Sequence, residues 1–444
     1  MAHVYPFRAL RYHPSLVRLE DVVTQPYDKI TPAMQQAYYQ RSPYNLVRII
    51  LGLPELFDSA EEGNVYTRAA RDFSAWRKNG ILTQENEPCV FAYSQRFIVP
   101  GTPRPLLERR GFIALGELYE YAQKVVFRHE QTLSRPKSDR LSLLRATHAH
   151  FGQIFMLYSD PGLSAERLLF NSTAAPDMEV TDEYEVLHRV WRVSDPNTIN
   201  LLTTALEDKK LIIADGHHRY ETALNYSREH EPAAAAAHTE RSSYSLPQPP
   251  YPEAAVMMTF VNMDSEGLVI LPTHRVVHGL KNFEPSDFLA QAQPYFEIEA
   301  LSTDDVENLT GRLGSLHGKT AFIAVTSAGK HLLVAKRKAV SRALNHISDR
   351  QGQLDVVQFH ALVLEKLLGI TPEAIREQTN LRYLSDAAEA VEQVADGEAN
   401  AAFLMNCVTL DQLREVAFAG EVLPQKSTDF FPKLLSGLAI YALD

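Results

Sequence analysis

Residues 211 to 228 constrain the fold more than any other stretch of the chain. Leu211-Ile212-Ile213-Ala214 is a short apolar run of the kind that forms a buried strand. Asp215-Gly216 follows as a turn, where glycine supplies backbone freedom that other residues lack. From His217 to about Arg228 the residues Tyr220, Ala223 and Leu224 recur at helical spacing. A buried strand that passes through a tight turn into a helix belongs to chains that layer helices on sheets. The expected class is therefore α/β, of the mixed α+β kind.

The rest of the chain fits that class. Thr31-Pro32 caps a helix through Gln40, because proline is already shaped for a first helical turn. A second helix spans 67–79 and closes at Gly80. Strands are expected at 46–51, 90–99 and 109–118, the last two joined as an antiparallel hairpin across Pro100-Gly101-Thr102-Pro103. Ser138-Asp139 opens a helix carrying Leu141, Leu144 and Arg145. Further on, 255–263, 268–271 and 401–405 read as strands, 321–327 with 331–336 as a hairpin, and 354–368 and 410–419 as helices. The low-complexity stretch 232–252 reads as a flexible excursion.

At 444 residues the chain exceeds one ordinary core. Three regions are expected: 1–159 with a hairpin and a basic loop, 160–280 around the Asp215 turn, and a C-terminal α/β region at 281–444. A net charge of -11 disfavours a broad nucleic-acid surface, which needs a basic face. The two cysteines, Cys89 and Cys407, form no CxxC and read as buried thiols in a reducing compartment. There is no apolar leader and no run near the roughly 18 residues of a membrane span, so no membrane partner and a cytoplasmic location are expected.

Asp215-Gly216-His217-His218-Arg219 is the strongest local signal. A helix N-terminus presents unpaired N–H groups and a positive dipole end, which suit a bound phosphate. Gly216 lets the backbone approach, Arg219 can grip two oxygens at once, and His217 or His218 can donate or move a proton. An ordinary turn, with Asp215 as helix cap and the histidines at the surface, fits the same five residues. A metal fits poorly: adjacent helical residues diverge by about 100°, and His148-Ala149-His150 has no evident third ligand. No metal site is assigned.

Two further clusters suit anions. Arg135, Lys137, Arg140 and Arg145, set against Glu130 and Asp139, form a basic island that can hold a phosphate or carboxylate, or be a solvated charged face. Lys426-Ser427-Thr428 resembles the end of a phosphate loop but lacks its glycines, leaving a hydroxyl-rich anion contact.

The chain resembles the bacterial and archaeal family labelled domain of unknown function 1015 nearly end to end. The marks are Gln25-Pro-Tyr-Asp28, Ser42-Pro-Tyr-Asn45, His129-Glu130 with Arg135-Pro-Lys-Ser-Asp-Arg-Leu141, the block from Ala214 to Leu224, Leu271-Pro-Thr-His-Arg275, and Pro424-Gln-Lys-Ser-Thr428 with Pro432-Lys433. Asp429 stands where an aromatic is expected, and His150 where Asn is expected. The Asp215–Arg219 block is also similar to the nucleotide-phosphate turn of the ParB/sulfiredoxin fold, which implies a core of that kind around 160–280 with additional α/β regions.

The two resemblances imply binding of a nucleotide or another small phosphorylated metabolite, with phosphoryl transfer to a small hydroxyl compound, free serine being the candidate. A phosphatase acting on a small phosphoester and a sensor without turnover are the alternatives. In this reading Gly216 and Arg219 hold phosphates, and His217 or His218 donates to a phosphate oxygen. Asp215 or Glu130 serves as base or as ligand to a magnesium ion brought with the nucleotide. His129, Lys137, Arg140, Arg145, Lys426, Ser427 and Thr428 complete the anion contacts.

Overall fold

A computed structural model describes residues 1–59, 63–100, 105–130, 134–171, 174–236, 246–316 and 318–444. The tip of the expected 90–118 hairpin, the centre of the low-complexity stretch and the side chain of Arg135 lie outside the described residues. The chain is mixed α/β and divides into two compact units: residues 1–128, 132–268 and 432–444 form the first, and 129–131 with 269–431 the second.

The first unit is built on a nine-stranded mixed sheet. Its strands are β1 (Val4–Tyr5), β2 (Val90–Phe97), β3 (Leu107–Glu117), β4 (Val126–Phe127), β5 (Ile154–Tyr158), β6 (Met178–Thr181), β7 (Leu187–Val193), β8 (Leu211–Asp215) and β9 (Ala255–Asn262). The spatial order is β4-β8-β5-β9-β3-β2-β7-β6, with β1 beside β3. The β4–β8 and β5–β9 pairs are parallel and the others antiparallel. The expected hairpin is β2 with β3, in the register Phe91 to Ile113.

Alternation along these strands gives the sheet two different faces. One carries Val90, Ala92, Phe112, Ala114, Ile154, Met156, Val256, Met258 and Phe260 into an apolar core. Ile199, Leu202 and Leu206 of helix α1 (Pro196–Leu206) join it, as do Tyr220, Ala223 and Leu224 of helix α2 (His217–Ala236). The apolar spacing read after His217 is thus the face that anchors α2. The helix runs beyond Arg228 into the alanine run, since alanine has the highest helix propensity. The opposite face carries buried polar groups, described below.

The expected regions 1–159 and 160–280 are not separate bodies. Strands from residues 4–117 and 154–262 share one sheet, so among the described residues the segment expected as a ParB/sulfiredoxin-like core has no sheet of its own. Two element readings also change. The expected strand at 46–51 is a short helix, Val47–Ile50, because the Asn45 side chain accepts the Val47 N–H at 3.0 Å and the apolar residues pack around Val22, Phe73 and Trp76. The basic-island helix begins earlier than Ser138, spanning Ser134–Thr147.

The second unit holds a six-stranded antiparallel sheet. In chain order its strands are β10 (His274–Val277), β11 (Phe296–Leu301), β12 (Ala321–Thr326), β13 (Gly329–Ala335), β14 (Leu381–Leu384) and β15 (Ala401–Met405), with spatial order β11-β13-β12-β15-β10-β14. One face, with Val276, Ile323, Val325, Ala402 and Leu404, is packed against Leu309, Leu313, Ala390 and Val394. On the other, Phe322 and Phe403 lie 5.3 and 5.0 Å from the Phe359 ring. Phe359 opens a π-helix, Phe359–Leu367, that continues from a short α-helix, Asp355–Gln358, where a single amphipathic α-helix was expected.

Gly111 on β3 marks how closely the central strands approach. A Cβ there would lie 2.4 Å from the backbone oxygen of Phe260 on β9. The obstruction is main chain, so it cannot rotate away. Gly111→Ala is expected to cost about 3 kcal/mol, the upper end of ordinary overpacking. Urea denaturation checks this, and an unchanged midpoint would show that β3 and β9 can separate freely.

Candidate functional site

Strand β8 delivers Asp215, and a bulge decides where it faces. Ile213 pairs with Met156 and Asp215 with Phe155, so one extra residue is absorbed between them. Gly216 then adopts φ +93°, a backbone state that side chains disfavour, and His217 starts α2.

Arg219 folds back over this turn. A Cβ on Gly216 would sit 3.1 Å from its Nη2, and a Cβ on Gly152 would sit 3.1 Å from its Nη1. The two glycines therefore form the slot that the guanidinium occupies. Nη1 donates to the Gln153 carbonyl, and Nη2 lies 3.7 Å from Asp215 Oδ1. The other Asp215 oxygen, Oδ2, accepts from Lys433 Nζ at 3.1 Å.

Lys433 is far away in sequence and is brought here by the polar face of the sheet. Arg109 is 1 % exposed and donates from Nη2 to the Pro432 carbonyl at 2.5 Å and from Nε to Gln95 Oε1 at 3.0 Å. Gln95 Nε2 donates to the Lys433 carbonyl at 2.8 Å. Gln153 Nε2 donates to the Leu435 carbonyl at 3.3 Å, and its Oε1 accepts from Thr259 Oγ1 at 2.8 Å. Ser436 exchanges two backbone hydrogen bonds with Thr24, of 3.1 and 2.8 Å, which places the Gln25-Pro26-Tyr27-Asp28 loop beside the segment. Gln25 Nε2 reaches Asp182 at 2.9 Å, and Asp182 also meets the buried His188, 3.1 Å away.

Burial alone would raise the Asp215 carboxyl. The charges of Lys433 and Arg219, the Lys433 hydrogen bond and the charge of Lys29 outweigh it, holding the group well below the usual carboxylate range. Asp215 is therefore an anion that organises cations, and a poor proton acceptor. Burial, with the Asp28 charge, pushes the Tyr27 hydroxyl up to about 12 against the opposing charges of Arg140 and Arg219. Arg140 lies 4.0 Å over the Tyr27 ring, with Nη1 on the Ile50 carbonyl at 2.8 Å and Nε on Asp139 at 2.8 Å. Tyr27, Arg140, His150, Gly152, Arg219 and Ser436 all line one cavity of about 60 Å³. Burial draws His150 down to about 4, so it is neutral there.

The remaining candidate residues sort into two groups. In the first unit His217 is buried and His218 half-buried. Lys137 Nζ meets Glu221 at 2.9 Å and Arg145 Nη2 meets Glu229 at 2.5 Å, so both extend the island toward carboxylates of α2. In the second unit His129 Nε2 lies 2.8 Å from Thr428 Oγ1, and Glu130 Oε1 accepts the Lys426 N–H at 2.8 Å. Ser427 Oγ donates to the Pro424 carbonyl at 2.5 Å, and Lys426 takes φ +56°. Arg275 Nη2 donates to the Lys426 carbonyl at 3.3 Å. Glu130 here fixes a backbone turn.

Among the described residues no group of three His, Cys, Asp or Glu side chains could hold a metal. A magnesium ion arriving on nucleotide phosphates uses one or two carboxylates. Asp215, the carboxylate of the turn, accepts from Lys433 Nζ at 3.1 Å. No helix among the described residues is long and apolar enough to cross a membrane.

Sequence reasoning missed Lys433, Gln153, Tyr27 and Lys29 as site residues. Lys433 and Tyr27 stood within quoted motifs. Gln153 carried no signal, because its role is to bond two distant segments at once.

The family model described as "Protein of unknown function (DUF1015)" matches residues 4–357. Among solved structures, a free serine kinase in complex with AMP is 14% identical with a TM-score of 0.32, covering 69% of this chain and 83% of its own. A conserved hypothetical protein from Pyrococcus furiosus is 13% identical with a TM-score of 0.32, covering 70% and 89%. SbnI with a C-terminal truncation, from Staphylococcus aureus, is 10% identical with a TM-score of 0.34, covering 73% and 85%. No curated protein matches the chain.

Asp215→Asn tests the charge arrangement. Losing the carboxylate leaves Lys433, Arg219 and Lys29 facing one another, and is expected to cost about 3 kcal/mol at neutral pH. In the wild type this contribution is complete above the ordinary aspartate range, near pH ~4, and fades as acid protonates Asp215 toward its lower folded value. The variant should therefore lose less stability than the wild type in strong acid. Millimolar inorganic phosphate should raise the melting temperature of the variant more than that of the wild type. Equal stability at neutral pH would remove Asp215 from this role.

Proposed function

We propose that this chain, which belongs to the DUF1015 family, binds the phosphate of a nucleotide or other small phosphorylated metabolite at the Asp215–Arg219 turn. The reaction we assign is phosphoryl transfer to a small hydroxyl compound, with free serine as the candidate acceptor. One observation carries the reading: three cations, Lys29, Arg219 and Lys433, act on a single carboxylate. Arg140 shares the adjoining cavity. This concentrates positive charge locally in a chain whose net charge is -11.

A phosphate group carries about -1.5 to -2 at neutral pH, which matches that excess. The cavity of about 60 Å³ has room for an oxyanion rather than a whole nucleotide. Phosphoryl transfer asks the protein chiefly for positioning and charge neutralisation. Arg219 and Lys433 supply the charge, and Asp215 sets their geometry. Because Asp215 holds no proton near neutrality, proton movement falls to His217 or His218. Loose phosphoryl transition states need little base assistance, so a weak base is compatible with transfer.

Arg219→Lys is the discriminating variant. Lysine retains the charge but can fill neither the fork geometry nor the slot between the two glycines. Its apo form should lose about 1 kcal/mol, the worth of one hydrogen bond. In calorimetric titration with ADP and with O-phosphoserine, affinity should fall at least about tenfold, roughly 1.4 kcal/mol. Unchanged affinity for both would sink the phosphate reading. O-phosphoserine formed from serine and a nucleoside triphosphate would establish transfer. Phosphate release without an acceptor would indicate hydrolysis instead, and binding without turnover would indicate a sensor.

A further inference from the structure

The second unit contains a cavity of about 790 Å³ with no role in the site described above. It is walled by the 318–320 segment, helix α3 (Arg337–Ala343), the turn into the π-helix, residues 406–409 and helix α4 (Leu410–Phe418). Its size falls within the roughly 300–1,000 Å³ of pockets that enclose organic ligands. A lone phosphate or amino acid would leave most of it to water.

The lining is bipolar. Lys319, Arg337 and Arg350 are exposed cations on its walls, Arg350 being 3.3 Å from Glu421 outside the lining. Asp355 and Glu415 are its carboxylates. Deeper in the wall, Gln358 is 7 % exposed, and its Nε2 donates to the Gly352 carbonyl at 2.8 Å. That bond fixes which way the amide points, since a flip would set oxygen against oxygen. Its Oε1 has no hydrogen-bond partner among the described residues. A buried acceptor left in that state costs about 1–3 kcal/mol, and a ligand N–H would recover it. Burial pushes the neighbouring Asp355 carboxyl up to about 6, against the Thr320 hydroxyl and the Ala321 N–H that favour its charged form.

We propose that this cavity is a second ligand site, taking a nucleoside phosphate whose base donates N–H groups toward Gln358 and Asp355 and whose phosphates meet Lys319, Arg337 and Arg350. A nucleoside phosphate joins a donor-bearing head to an anionic tail at a size that fits the cavity. The pairing of inner acceptors with outer cations selects for that combination. Gln358 directly precedes the π-helix, and π-turns recur where side chains are re-aimed at functional sites.

The probes are ADP, GDP, CDP and UDP in calorimetric titrations of the full chain. At least one should bind with a component that Arg337→Ser weakens at least about tenfold. Arg337 is exposed, so that variant should melt with the wild type. Gln358→Met, close in volume, should weaken the same component, while Arg219→Lys should leave it unchanged. Binding that Arg219→Lys abolishes and Arg337→Ser leaves intact would overturn this inference and spare the first site. Binding lost in Arg337→Ser alone would support this inference and leave the first site to the O-phosphoserine titration. No binding of any of the four nucleotides would also overturn it.

Discussion

The buried guanidinium of Arg109 is the interaction on which the first unit's site depends. A charged group 1 % exposed has left water at a cost that only several good acceptors can offset. Burial draws its pKa down to about 9, yet it remains the cation that ties β3 to Gln95 and to the Pro432 carbonyl. From that tie follow the course of residues 432–436, the reach of Lys433 to Asp215, and the bridge to Thr24 that sets the Tyr27 loop. A sheet face filled with hydrocarbon would pack at least as well. The polar face instead specifies one path for the returning segment, because each carbonyl has a particular donor to meet.

The site that results is an arrangement of charge more than a set of reactive groups. Asp215 is held ionised by its neighbours, and they are held in place by it. Arg219 has one edge bound to the Gln153 carbonyl and another near Asp215. Such preorganisation favours stabilising an incoming negative charge over abstracting a proton, because fixed dipoles and charges need not reorganise when the ligand arrives.

What could be read from the sequence was local. The strand, turn and helix around Asp215 follow from apolar spacing and one glycine, and β2 with β3 follows from two apolar runs. The strand expected at 46–51 became a helix because β-branched residues packed on several sides show no helical period, and the Asn45 side chain holding the Val47 N–H outweighed propensity. The division of the chain was hidden for a different reason: the sheet of the first unit takes strands from both sides of residue 159, and no composition shift records pairing between distant segments. Lys433 and Gln153 were illegible as site residues on the same ground. Their contacts are with residues 218 and 66 positions away in the chain.

The second unit is, in connectivity, an insertion between Leu268 and Pro432. Inside it, Val269–Leu271 pairs with Asp429–Phe431, so the outgoing and returning chains are stapled side by side. Without that staple, bringing residue 433 back would mean closing a floppy loop of roughly 160 residues, an entropic toll on the order of 4 kcal/mol. Ordering of the insertion therefore acts as a tether that raises the local concentration of Lys433 at Asp215. During synthesis β8 and its turn are made before the insertion, and Lys433 is made only after it.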